Sequence, residues 1–126
     1  MARRTGSKEI LTRLRAICMA FPEATERLSH GEPTWFVRDK KVFVSFDDHH
    51  HGADHVGMTC PAQPGVQGAL VDEEPHRFFV PPYVGHRGWI GVRLDVDVDW
   101  DEIAGIVDDA YRLVAPKKLI AQLDAT

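Results

Sequence analysis

A chain of 126 residues, 44% hydrophobic and 27% charged, has ordinary globular composition and is long enough to bury a core without disulfides or a structural metal. No stretch approaches the roughly 18 apolar residues of a membrane span. The net charge of −4 is unevenly spread: residues 1–41 carry nine Lys/Arg against five Asp/Glu, residues 42–94 three against six, and residues 95–126 three against eight. Any basic footprint for a nucleic acid must therefore come from the N-terminal third.

The basic start, Met1 to Ser7, leads into an amphipathic pattern and no apolar signal region, so a cytoplasmic protein is expected, one domain over residues 1–126 with residues 1–7 flexible. From Lys8 to Phe21, Ile10, Leu11, Leu14, Ile17, Cys18 and Phe21 recur at spacings of three and four and predict a helix. Ser7 or Thr5 can cap its start and Pro22 ends it. Thr34–Arg38 and Lys41–Phe46 read as strands joined by a polar turn at Arg38-Asp39-Lys40. Strict alternation places Val42, Val44 and Phe46 on one face of the second strand and Phe43 and Ser45 on the other. Further strands are predicted over His55–Cys60, Arg77–Val80 and Trp89–Leu94, with a short helix over Pro64–Asp72. Asp99, three residues before Glu102, starts a helix whose apolar positions are Ile103, Val107, Ala110 and Val114. Pro116 suits the first turn of a last helix, Pro116–Leu123. Helices at both ends of a run of strands predict an α+β, two-layer sandwich: a mostly antiparallel sheet with the N-terminal and C-terminal helices on one face.

Three constellations carry candidate chemistry. Ser29-His30-Gly31-Glu32-Pro33-Thr34-Trp35 could place His30 and Trp35 in a pocket, or could be a Gly-Pro turn feeding an edge strand. Asp47-Asp48-His49-His50-His51-Gly52-Ala53-Asp54-His55 is rich in ligand types for zinc, nickel or iron. It lacks HExxH, a cysteine pair or a distant fixed ligand, so no physiological metal is expected; His49, His51 and His55 could pick one up opportunistically. Pro81-Pro82-Tyr83-Val84-Gly85-His86-Arg87-Gly88-Trp89 is the most unusual stretch, with a phenol, an imidazole, a guanidinium and an indole on a stiff Pro/Gly frame. It could hold an anionic or planar ligand, Arg87 pairing to phosphate or carboxylate, or be a rigid connection whose Trp89 is core.

The Asp95–Glu102 run fails as a calcium loop, because its sixth and twelfth positions hold Trp100 and Ile106. There is no GxSxG, no GxxxxGK[ST] and no GxGxxG opening a helix. Cys18 and Cys60 form no CxxC pair and read as buried thiols. No cofactor is expected.

Taken in order, Phe21-Pro22-Glu23, Ser29-His30-Gly31-Glu32-Pro33, Trp35-Phe36-Val37, Lys40-Lys41-Val42-Phe43, Gly88-Trp89 and Tyr111-Arg112-Leu113-Val114 resemble the MmcQ/YjbR family over nearly the whole chain. The resemblance implies a small α+β protein with a helix before and helices after an antiparallel sheet, and DNA as partner. A formyltransferase label carried by some relatives implies a larger chain and an Asn/His/Asp constellation that this sequence lacks. The expectation is thus a non-catalytic binding domain. Phosphate contacts would come from Arg38, Lys40 and Lys41 of the turn and from Arg13 and Arg15, with Arg3 and Arg4 nearby in sequence. The alternative is a small-molecule binder or weak enzyme whose pocket gathers His30, Trp35, Tyr83, His86, Arg87 and Trp89.

Overall fold

The computed structural model describes residues 6–49 and 55–125. Helix α1 (Ser7–Met19) precedes strands β1 (Ala24–Ser29), β2 (Glu32–Val37), β3 (Lys41–Asp48) and β4 (Val56–Cys60). Helix α2 (Val66–Glu73), strands β5 (Phe78–Phe79) and β6 (Ile90–Arg93), and helices α3 (Trp100–Val114) and α4 (Lys117–Asp124) follow. The strands form one antiparallel sheet in the order β1-β2-β3-β4-β6-β5. Buried residues of α1, α3 and α4 (Ile10, Leu14, Cys18, Ile103, Val107, Ala110, Tyr111 and Leu119) join one face of that sheet in a single core, as the predicted sandwich requires.

Caps and boundaries follow local chemistry. Asp99 caps α3, its carboxylate accepting from the Asp101 backbone N–H at 2.9 Å. The predicted cap of α1 does not form: Gly6 occupies the position and makes no side-chain bond, while Thr5 lies outside the described residues. Ser7, expected to be flexible, is the first residue of the helix.

Strand β1 escapes the sequence pattern because it is a polar edge strand. Its inward residue Glu26 faces Trp35 across the ladder, and an inward carboxylate hides the apolar alternation. The charge is satisfied there: Arg15 of α1 donates twice to Glu26, at 2.8 and 2.9 Å, and the Trp35 indole N–H donates to it at 2.9 Å.

The strict alternation predicted for β3 also fails, for an identifiable reason. The β2–β3 register jumps from Trp35↔Val44 to Phe36↔Val42, which leaves Phe43 as the extra residue of a β-bulge. Phe43 and Val44 are therefore both in the core, and Val42 shares the opposite face with Phe36. The bulge delivers Phe43 to an aromatic group. Its ring meets Tyr111 edge-on at 5.3 Å and Phe21 at 5.9 Å, while Phe21 stacks on Tyr111 at 4.8 Å. The Tyr111 hydroxyl donates to the Pro22 carbonyl at 2.7 Å, tying the end of α3 to the entry of β1.

Candidate functional site

Strand directions sort the connections to two ends of the sheet. The β1–β2 turn, the β3–β4 connection and the exit of β6 lie at one end. The β2–β3 turn, the exit of β4 and the β5–β6 connection lie at the other. Helix α3 starts after β6 and reaches the second end, where Tyr111 meets Pro22. Helix α2 runs the opposite way. Gln67 in its first turn bonds the β5–β6 connection, and Glu74 at its end bonds Arg77.

Charge follows this sorting. The first end receives Asp48 of β3, Asp72, Glu73 and Glu74 from the end of α2, and Asp95, Asp97, Asp99, Asp101 and Glu102 from the approach to α3. Two arginines are engaged there: Arg77 bonds Glu74 at 3.0 Å and also Glu102, and Arg93 bonds Asp95 at 3.1 Å. Burial works against the Asp95 carboxylate, but hydrogen bonds from Arg93 and the backbone outweigh it and hold the group below its usual range. The recess lined by Arg77, Asp97, Val98, Asp99 and Glu102 lies here and is acidic.

The second end is basic. Arg38 is held by Glu23, just before β1, at 3.1 Å, and Asp39 by Arg27 at 3.1 Å, which engages the acid of the β2–β3 turn and the acid beside it. Lys40 and Lys41 in that turn, His86 and Arg87 in the β5–β6 connection, and Lys117 and Lys118 just past α3 are exposed. Among the described residues, none of these six makes an ion pair. The Arg87 guanidinium instead lies over the Trp89 ring, 5.4 Å from its centroid.

The predicted site residues divide between these places. Of the phosphate-contact candidates, Lys40, Lys41 and Arg38 stand at the basic end, whereas Arg15 is bound to Glu26 and Arg13 lies over Trp100, at the start of α3. Arg3 and Arg4 lie outside the described residues. The six pocket candidates do not come together. Trp35 is fully buried against the helices. His30 sits with Gly31 in the two-residue β1–β2 turn, both at positive φ, at the acidic end. Tyr83, His86, Arg87 and Trp89 belong to the basic end, on the far side of β3 and β4. In the histidine segment, His49 pairs with Asp48 at 2.6 Å and its backbone N–H donates to the His55 carbonyl at 3.0 Å. His51 lies outside the described residues, among which no three ligating side chains gather.

Sequence reasoning missed two features. Lys117 and Lys118 join the basic end only because α3 carries the chain there, which no local signal announces. The sheet face away from the core holds both buried polar side chains, Thr34 and Asp47, and the hydroxyls of Thr34 and Ser45 meet at 3.3 Å. His55 belongs to the same face, its ring against Phe79 at 4.4 Å and its Nε2 buried without a hydrogen bond, 3.9 Å from the Asp47 carboxylate. Only the alternation of a correctly placed β4 reveals that pairing.

The two thiols are poor nucleophiles. Burial pushes Cys18 far up and raises Cys60 to about 12. No helix among the described residues is long and apolar enough to cross a membrane.

The fold is also that of a crystal structure of a Deinococcus radiodurans protein described as a DUF419 domain, at a TM-score of 0.71 and 16% identity over 90% of this chain and 87% of that one. No curated protein matches the chain. The YjbR family model matches residues 19–113, from the end of α1 through the aromatic group and the basic β2–β3 turn to the end of α3. The chain belongs to the YjbR family.

Proposed function

We propose that this chain is a non-catalytic DNA-binding domain whose basic end meets the phosphate backbone. One observation carries the reading: among the described residues, five exposed cations without an internal carboxylate, Lys40, Lys41, Arg87, Lys117 and Lys118, come from three separate segments to one end of the sheet. Most arginines elsewhere are neutralised, and the exposed cations of α1, Lys8 and Arg13, stand apart, so this end gathers the largest group of available charge among the described residues. The raised thiols and the absence of a nucleophile motif in the sequence favour binding over catalysis.

Three to five phosphate contacts imply a log–log salt slope of about −2.7 to −4.5 on duplex, and a loss of about two orders of magnitude in affinity between 50 and 200 mM salt. Fluorescence anisotropy with labelled DNA across that range measures both. Undetectable binding at about 50 mM salt, or binding that ignores Lys40→Ala, Lys41→Ala and Arg87→Ala together, overturns the reading.

A second reading has its own observation. The orphaned His55 Nε2, 3.9 Å from Asp47, suits a small ligand hydroxyl that bridges the two. A thermal-shift screen of small polar metabolites tests it. A hit that raises the melting temperature of the natural chain but not of His55→Ala supports it, and uniformly flat curves remove it.

A further inference from the structure

We infer that the DNA recognised at the basic end is single-stranded, with an unstacked base lying on Tyr83; this rests on the DNA reading above. Among the described residues Tyr83 is the most exposed large hydrophobic side chain at 75%, more than the 70% of Leu28. It is also held in an unusual backbone. The Val84 N–H donates to the Pro82 carbonyl at 2.8 Å across Tyr83, whose φ is 66°, a γ-turn of the rare positive-φ kind. A non-glycine residue held there is strained and persists only where the surroundings impose it, and such residues concentrate at binding sites.

The surroundings do impose it. The Gln67 side-chain amide of α2 donates to the Gly85 carbonyl at 2.8 Å and to the Trp89 carbonyl at 2.7 Å, pinning the connection at two points. A Cβ on Gly85 would meet the Val80 side chain at 2.5 Å, and Gly88 takes φ 84°. The segment 80–89 is thus rigid, yet it turns Tyr83, His86 and Arg87 outward. Packing the core requires none of these three side chains. A rigid aromatic presented beside cations is what a base-stacking platform needs, because little ordering entropy is lost on binding.

The geometry disfavours a duplex at this point. Inside a stack the faces of bases are covered, and a tyrosine ring can reach only their edges, whereas a single strand offers a free π-face at every base. Arg87, fixed over Trp89 and free of carboxylates, keeps its donors for an adjacent phosphate. Lys40 and Lys41 stand about three strand spacings away, roughly 14 Å, so one short strand can follow from the ring to the turn.

The test compares a labelled oligothymidine with a duplex of equal length by anisotropy at low salt, using the full chain. The single strand should bind at least about tenfold more tightly. Tyr83→Ala should weaken it about 5- to 100-fold, as loss of one stacked base does, leave the duplex unchanged, and be rescued by Tyr83→Phe. Circular dichroism confirms that the exposed substitution leaves the fold intact. Equal affinity for both forms, or a Tyr83→Ala effect shared equally by both, overturns the inference while the DNA reading stands. Binding to neither overturns both.

Discussion

The two ends of the sheet are built from the same residue types but use them in opposite ways. At the acidic end, Arg77 and Arg93 are spent on Glu74, Glu102 and Asp95, and further carboxylates remain around the start of α3. At the basic end, Glu23 and Asp39 are spent on Arg38 and Arg27, and lysines remain. Net charge therefore says little about what the surface attracts. The β3 strand that spans the two ends has eight residues, about 27 Å at the usual rise, well beyond the ~10 Å over which exposed charges act in 0.1 M salt. Each end can accordingly behave as a separate surface.

That separation depends on a stiff sheet, and Trp35 is its largest fully buried side chain. Trp35→Ala should cost about 3–5 kcal/mol, measured by urea denaturation, and blur both ends by loosening β1 and β2. A loss under about 1 kcal/mol would mean that this ring is not the anchor its burial implies. The next effect tests the ends against each other. Lys40→Glu with Lys41→Glu should weaken DNA binding at least tenfold, about 1.4 kcal/mol, whereas Asp97→Asn with Asp101→Asn should leave it within about twofold because of screening. Equal effects from the two pairs would show that the ends communicate electrostatically and that the comparison is mistaken.

Two local ties set the next scale. Asp99→Ala removes the α3 cap at the acidic end and should cost about 1 kcal/mol. Tyr111→Phe keeps the stacked ring but loses the bond to Pro22 at the basic end, again about 1 kcal/mol. Amide hydrogen exchange should show the first loosening the start of α3 and the second the β1 entry. Exchange raised uniformly by either would contradict ties that act on one end alone.

Much of this frame was legible in the sequence, and the failures share a cause. The helices of α1 and α3 announce themselves because their apolar stripes are local, and Asp99 caps where its spacing says it should. Strand β1 stayed hidden because its inward position holds a carboxylate whose partners, Arg15 and Trp35, are remote in sequence. The bulge at Phe43 is likewise set by a neighbouring strand. The site was less legible still. Basic residues counted along the chain pointed to Arg13 and Arg15, but the fold spends Arg15 on Glu26 and carries Arg13 to Trp100 at the acidic end, and both pairing and position are properties of the folded chain. Lys117 and Lys118, far down an acidic stretch, enter the candidate surface only through the length of α3.

The smallest effect concerns the hinge of that lesson, Glu26. The hydrogen bond from Arg15 holds its carboxyl below the usual range against the opposing influence of burial, helped by the Trp35 indole N–H and the charge of Arg15. A folded-state value below the unfolded one means that the stabilisation is fully present above the unfolded carboxylate range, near pH 4.3, and is lost as pH falls through the folded value. Arg15 is 43% exposed, so solvent screening keeps the pair's contribution modest. Glu26→Gln retains an acceptor for Trp35 and removes the titration. Melting temperature followed from pH 7 to pH 3 should then fall less steeply in the variant, the two curves converging at the acid limit where the natural carboxyl is protonated. Parallel curves would mean that the Arg15–Glu26 pair orients β1 without stabilising it, and that the inward charge serves only to keep the edge strand from pairing with another sheet.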